Sequence, residues 1–322
     1  MRSLRDYLFY VFVRCAWWVG GRIPLRTLRG LLVAISSIGY RLDVRHTERV
    51  RVNLRMAFPE WPESRVDCYA RKAIAYWGRL AAEIIHAREL APDDQSGDFE
   101  VLGARVDAAL SRGKGLLILT AHFGNFELLG RVCACRGVPL ATFVRPFRNR
   151  FFDRFFVKDR RSMNLGMLGR GSGVREALRM LNHGGMVAVL LDQNQRPGRG
   201  IFVDMFGRPA CTSTVLARLS LATGAPVLPV FAVWRGDRTV PLIGELIEPA
   251  GPGSPAEGRT ERGQKVRALT ARYTAEIETV VRHHPEQWNW VHRRWKTQPS
   301  DRPIGPAGGV GAGSAPRPIA AA

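Results

Sequence analysis

In this 322-residue chain, the stretch whose residue types and spacing could do chemistry is Leu119-Thr-Ala-His122-Phe-Gly-Asn-Phe-Glu127. An apolar run from Leu116 to Leu119 leads into it, Gly124 permits a tight turn, and Asn125 is a good N-cap for a helix beginning at Phe126. His122 is therefore expected at the carboxyl end of a strand and Glu127 in the first turn of a helix. Five residues apart on one continuous helix the two would point about 140° away from each other, but across a strand-turn-helix corner they can meet. A carboxylate touching an imidazole fixes its tautomer and stabilises its cation, which makes the histidine a competent general base. The alternative is a histidine that only caps a strand.

The rest of the sequence narrows what such a base would serve. There is no G-x-S-x-G elbow, because Gly169-Arg-Gly-Ser-Gly173 has the wrong spacing. There is no P-loop, and Pro197-Gly-Arg-Gly200 is a lone glycine turn. His183, His283, His284 and His292 are not spaced as metal ligands, so neither a metal nor a resident cofactor is expected. What remains is a base that takes the proton of a hydroxyl on the substrate, as in direct acyl transfer.

The elements that must position these groups show in the hydrophobic pattern. Short apolar runs at 116–119, 139–144, 186–191 and 226–233 alternate with helical stretches around 126–136, 150–163, 173–183 and 213–223. Strands alternating with helices predict an α/β fold with a mostly parallel, buried sheet. Residues 41–95 read as helical with a break at Pro59 and Pro62, residues 264–284 as a further helix, and the Gly, Pro and Ala-rich end from Ser300 as a disordered tail.

Composition bounds the partners. A formal net charge of +20, with all but five of the 48 cations arginine, predicts a polyanionic partner, either nucleic acid or a phosphate-bearing lipid surface. Residues 1–40 interleave aromatic and aliphatic residues with Arg2, Arg5, Arg14, Arg22, Arg26 and Arg29. Their first apolar run falls short of the roughly 20 residues a spanning helix needs, so this segment is expected to lie in or be obliquely anchored to an anionic bilayer. A hydrophobic first helix packed on the domain is the competing reading. The five cysteines contain no C-x-x-C pair and read as reduced, mostly buried residues. Arginines dispersed along the chain amid apolar helices argue against a nucleic-acid binder.

At this point the motifs resemble a family. His122-x4-Glu127 is similar to the H-x4-[D/E] motif of the lysophospholipid acyltransferase superfamily, and its context resembles the late (lauroyl or myristoyl) acyltransferases of lipid A biosynthesis. Phe143-Val-Arg145-Pro-Phe-Arg-Asn149 with Asp153 and Arg160 resembles the R-P-x-x-N segment. Leu191-Asp192-Gln193 with Val203-Asp-Met-Phe-Gly207-Arg-Pro-Ala210 resembles the D-Q…F-F-G-x-x-A block, and the run from Pro285 to Lys296 resembles P-E-Q-Y-x-W-x-H-R-R-F-K. The resemblance covers most of residues 5–299, with Trp288 and Trp295 as departures.

The resemblance implies a glycerolipid-acyltransferase-like fold: a helical membrane-anchoring segment at 1–40, then an acyltransferase domain at 41–299, helical to residue 95 and α/β from 96. It implies His122 as general base oriented by Glu127, Arg160 near the dyad and Asp192 in the same pocket. Arg145, Arg170 and Gln193 are then candidate substrate ligands. The implied reaction carries an acyl chain from the thioester of acyl carrier protein, or of coenzyme A, to a hydroxyl of a phosphorylated glycolipid at the cytoplasmic face of the inner membrane. Another acceptor, such as a phosphatidylinositol mannoside, a lysophospholipid or an aminolipid, fits the same motifs, and a catalytically dead lipid-surface protein is a further alternative. Arg293 and Arg294 read equally as a solvated face, membrane-phosphate contacts or site residues, and Trp288, Trp290 and Trp295 read as packing or interface anchors.

Overall fold

The computed structural model describes residues 2–87, 90, 97–134, 138–162, 165–169, 171–249 and 259–301. Five helices come first: α1 (Arg2–Gly20), α2 (Leu25–Leu42), α3 (Val44–Ala57), α4 (Glu63–Ile85) and α5 (Asp98–Leu110). Then come β1 (Leu116–Thr120), α6 (Phe126–Ala134), β2 (Leu140–Phe143), α7 (Arg150–Arg161), β3 (Leu165–Leu168), α8 (Gly173–Asn182) and β4 (Met186–Leu190). The chain continues through β5 (Ile201–Met205), β6 (Arg208–Thr212), α9 (Val215–Thr223), β7 (Val227–Arg235), β8 (Arg238–Ile243) and α10 (Arg259–His283).

The main sheet has the order β3-β2-β4-β1-β7-β8, with five parallel strands and β8 antiparallel at one edge. All of β1 and eight of nine positions of β7 are buried, as expected of strands covered by helices on both faces. The predicted α/β class and its parallel sheet are therefore present. The pattern anticipated four of the six strands in this sheet. β3 is only four residues, with a glycine among them, and β8 is a half-exposed edge strand, so neither carries a long apolar run.

β5 and β6 form a separate hairpin whose turn places Phe206 at φ +59°, a conformation uncommon for a bulky residue. Burial of its ring against Phe58, Trp290 and Trp295 holds it there, and its N–H donates to Glu278 Oε2 at 2.6 Å.

The helical region is seated on the α/β core. α2 crosses α4 so closely that a Cβ at Gly78 would lie 2.3 Å from the Leu32 carbonyl oxygen. α1 rests on α7 through aromatic contacts, Tyr7 with Phe151 at 5.4 Å and Trp17 with Phe155 at 5.3 Å between centroids, with the Arg14 guanidinium over Phe155. Leu8, Phe12 and Trp18 of α1 and Leu31, Ile35 and Ile38 of α2 remain exposed. Among the described residues, no helix is long and apolar enough to cross a membrane.

The expected burial of cysteines holds for Cys211, whereas Cys15 and Cys68 are exposed on helix surfaces; the side chains of Cys133 and Cys135 lie outside the described residues. The tail expected from Ser300 lies outside them from residue 302, and residues 299–301 form a 3-10 turn.

Candidate active site

Strand register builds the centre of the site. β1 and β4 are parallel neighbours in which residue n faces n + 70, from Leu116 opposite Met186 to Thr120 opposite Leu190. Two residues past that last pair, the same offset brings His122 opposite Asp192, at the carboxyl ends where ligands bind in open α/β sheets. Asp192, buried to 3% exposure, accepts the His122 backbone N–H at 3.0 Å on Oδ2, while its Oδ1 lies 2.8 Å from His122 Nδ1. A second donor, the Trp288 indole Nε1–H, reaches Oδ2 at 2.9 Å.

The contact to the imidazole is thus made by Asp192 and not, as the sequence reading expected, by Glu127. The Glu127 carboxylate instead accepts a hydrogen bond from Arg160 of α7. The physical reason is backbone geometry: adjacent parallel strands deliver their next residues side by side, whereas Glu127 leaves on a helix that turns away toward α7.

Electrostatics follow from these contacts. Burial pulls the His122 imidazole down, but the charge of Asp192 and its hydrogen bond, with Glu127 adding, outweigh it and leave the ring above its usual value. Burial raises Asp192, yet the His122 charge and bond, the indole and the backbone amide overcome that and hold the carboxyl at about 2. An ionised Asp192 can only accept, so Nδ1–H donates to it and Nε2 of the neutral ring carries the lone pair. Gln193 Nε2 stands 3.2 Å from it.

The turn bearing His122 is pinned from three sides. Gly124, at φ +50°, packs on β7 so tightly that a Cβ would lie 1.6 Å from the Ala232 carbonyl oxygen. Its N–H donates to Gln287 O at 2.9 Å, Asn125 N–H to Ala232 O at 3.0 Å, and Asn289 N–H to His122 O at 3.1 Å. Asn125 also caps α6 through Oδ1, which accepts from Leu128 N–H, and its Nδ2 donates at 2.6 Å to Glu83 of α4. Glu83, fully buried, accepts further bonds from Arg29, Arg79 and the Trp234 indole, tying α2 and α4 to the turn that bears His122.

In front of His122 opens a cavity of about 740 Å³. Its inner wall is apolar, with buried Ile118, Leu129, Leu140 and Leu165 and half-buried Met167 and Ala188, and its exposed rim carries Arg145, Phe147 and Arg161. His122, Glu127, Arg145, Arg160 and Gln193 all line it, so the structure gathers most of the sequence-selected residues in one place. Asp192 sits behind the imidazole and not on the cavity wall, and Arg170 lies outside the described residues. The segment before α7 is shaped by its own motif: Asn149 Oδ1 caps α7 at Phe151 and Phe152, its Nδ2 donates to Asp6 O of α1, and Asp153 accepts the Phe147 N–H.

A buried carboxylate, an imidazole with one unprotonated nitrogen and an apolar cavity suit proton abstraction beside a hydrocarbon chain. The sequence profile of bacterial lipid A biosynthesis acyltransferases matches residues 1–297. The chain belongs to this family. It is similar to the lipid A biosynthesis palmitoleoyltransferase of Escherichia coli, 27% identical over 288 residues that cover 88% of this chain and 89% of that one. The lipid A biosynthesis acyltransferase of Haemophilus influenzae is 23% identical, with 81% and 79% covered, and the phosphatidylinositol mannoside acyltransferase of Mycobacterium tuberculosis is 24% identical, with 86% and 87% covered.

Within this acyltransferase, the block at 285–296 is a clamp. Besides the bonds from Trp288 and Asn289, Gln287 pairs through both side-chain atoms with the backbone of Trp234, and Trp290 Nε1 donates to Pro285 O. Trp288, Trp290 and Trp295 are buried, as the packing reading expected. Arg294 corrects the possibilities held open for it: it is 1% exposed, donates to Cys211 O and Thr212 Oγ1, and touches neither solvent nor the cavity. Burial pulls its guanidinium down to about 10, opposed by the charge of Asp192. Arg293 beside it is exposed. Spacing alone could not find Glu83, Gln287 or Arg294, because the bonds that give them their roles, to Asn125, Trp234 and Cys211, span 42, 53 and 83 residues.

Proposed function

We propose that this acyltransferase moves a fatty acyl chain from the thioester of acyl carrier protein to a hydroxyl of a phosphorylated glycolipid, a lipid A precursor, at the cytoplasmic face of the inner membrane. The observation that carries the proposal is the His122 ring: Nδ1 held by a buried carboxylate and Nε2 free of protons beside an apolar cavity. Nε2 takes the proton as the acceptor hydroxyl attacks the thioester carbon. The tetrahedral intermediate collapses, the carbon–sulfur bond breaks, and the thiolate recovers the proton from His122. No acyl-enzyme is required, and no metal or cofactor takes part.

Around that step, the apolar wall suits the acyl chain. Arg145 and Arg161 at the rim have no ion-pair partner among the described residues and suit a phosphate. Exposed apolar residues on α1 and α2, set among arginines, suit docking on an anionic bilayer, with α1 resting directly on the helix that carries Arg160. The basic surface also suits an acidic carrier protein. A phosphatidylinositol mannoside is the second acceptor worth testing, since a relative named for that substrate aligns over 86% of this chain.

The test is incubation of purified protein with acyl carrier protein thioesters and a panel of tetra-acylated disaccharide, mannosylated phosphatidylinositol and lysophospholipid, with products weighed by mass spectrometry. His122→Ala is expected to lose about 10²- to 10⁴-fold in rate while binding vesicles normally. Wild-type protein that acylates no phosphorylated glycolipid would defeat the proposal, as would normal activity in His122→Ala.

A further inference from the structure

Acyl transfer needs a donor to the oxygen on which negative charge develops, and the backbone amides of residues 122–125 are already engaged. The N–H of His122 is bonded to Asp192, that of Phe123 to Ala121 O, that of Gly124 to Gln287 O and that of Asn125 to Ala232 O. The Arg160 guanidinium is engaged with Glu127 through Nη2, while its buried Nε has no hydrogen-bond partner and stands as the competing donor on the cavity wall. One side-chain donor stands beside the reacting nitrogen: the amide of Gln193, one residue past Asp192, whose Nε2 is 3.2 Å from His122 Nε2 and which lines the cavity. With Nδ1–H committed to Asp192, Nε2 presents a lone pair, so the amide donates to it.

We infer that Gln193 is a catalytic residue whose side-chain amide donates to the oxyanion of the tetrahedral intermediate. The inference rests on the reading of His122 as the base. In the resting site the amide occupies the place at Nε2 that the acceptor hydroxyl must take. When the hydroxyl arrives, it replaces that bond, and the amide turns to the next acceptor available. The carbonyl oxygen lies only two bonds from the attacking oxygen, so the donor that left Nε2 is within reach of it. As the carbon–oxygen bond forms, the carbonyl π pair moves onto this oxygen and the proton moves to Nε2. Expulsion of the thiolate restores the carbonyl and releases the amide. Gln193 is solvent-exposed and packs in no core, so its replacement leaves the fold intact.

The experiment compares Gln193→Ala and Gln193→Glu with wild type and His122→Ala in acyl transfer from acyl carrier protein thioesters. It also follows the His122 ring by NMR titration of histidine-labelled protein. Removing one oxyanion donor is expected to lower kcat about 10²- to 10³-fold with KM little changed, and Gln193→Glu, which keeps the size but cannot donate as an anion, is expected not to recover it.

The titration reports the bond directly. The groups facing His122 are Asp192 beyond β4, Glu127 of α6, Arg160 of α7 and His292 after α10, all unchanged in these variants. Loss of the amide donor removes a bond specific to the neutral ring, so the titration midpoint moves up in Gln193→Ala and further in Gln193→Glu. A kcat within about threefold of wild type in Gln193→Ala, a defect confined to KM, or an unmoved midpoint overturns the inference. Full activity of His122→Ala would instead remove the base, and this role with it.

Discussion

The two walls of the cavity are built on different principles. The wall behind His122 is made of strand ends and the 285–296 clamp. There Asp192 has three donors, the backbone of the turn is bonded to β7 and to the clamp, and Trp288 and Trp290 are almost without solvent contact. The facing wall, formed by residues 143–149 and α7, carries exposed Arg145, Phe147 and Arg148, and its single engaged cation in the cavity is Arg160. On the function proposed above, the first wall fixes a proton-transfer geometry and the second leaves charge free to meet a substrate. Chemistry is sited where geometry is over-determined, and recognition where side chains are still uncommitted.

This contrast can be broken experimentally, and the rigid wall should yield the larger effects. Gly124→Ala combines a positive φ with a Cβ driven into the Ala232 carbonyl, so a loss of roughly 4 kcal/mol or more is expected in denaturant unfolding. A variant of wild-type stability would show that the turn is not pinned. Asp192→Asn should approach the rate loss of His122→Ala, because the carboxylate that sets the tautomer is gone. It also shifts the pH profile. A general base works when neutral, and Asp192 holds the ring above its usual value, so the wild-type rate climbs with pH through that raised value. In Asp192→Asn the residual rate should climb at lower pH, and an unmoved midpoint would contradict the pairing.

The same pair shapes acid stability. The folded-state Asp192 value of about 2 lies below the ordinary carboxyl range, so its contribution is complete above about pH 4 and disappears as pH falls through 2. Asp192→Asn should flatten that part of the unfolding curve measured against pH. On the facing wall, Arg145→Ala should leave kcat and stability alone and raise KM for a phosphorylated acceptor about tenfold, the size of one charge-assisted hydrogen bond, with the difference shrinking in high salt. A kcat effect there would erase the distinction between the walls.

Much of the site was legible because it lies in short segments. His122 at a strand end, Gly124 in the turn, Asn125 as the cap and Asp192-Gln193 after an apolar run are all local patterns, and the structure has them in those roles. The partner of the imidazole was not legible. Glu127 was the nearest carboxylate along the chain, while Asp192 is 70 residues away and nearest in space. The same holds for Arg294, which in sequence reads equally as a solvated, membrane-facing or site cation yet bonds the β6 backbone in the interior.

The sequence by itself determined the alternation of strands and helices, the family and the candidate for the base, since periodicity, turn residues and motif spacing are properties of neighbouring positions. Only the tertiary structure decided which carboxylate the base uses and what the tryptophan-rich block does. Both depend on the register of β1 against β4 and on the path of the chain after α10, and register is settled by the packing of whole sheet faces rather than by any residue's neighbours along the chain.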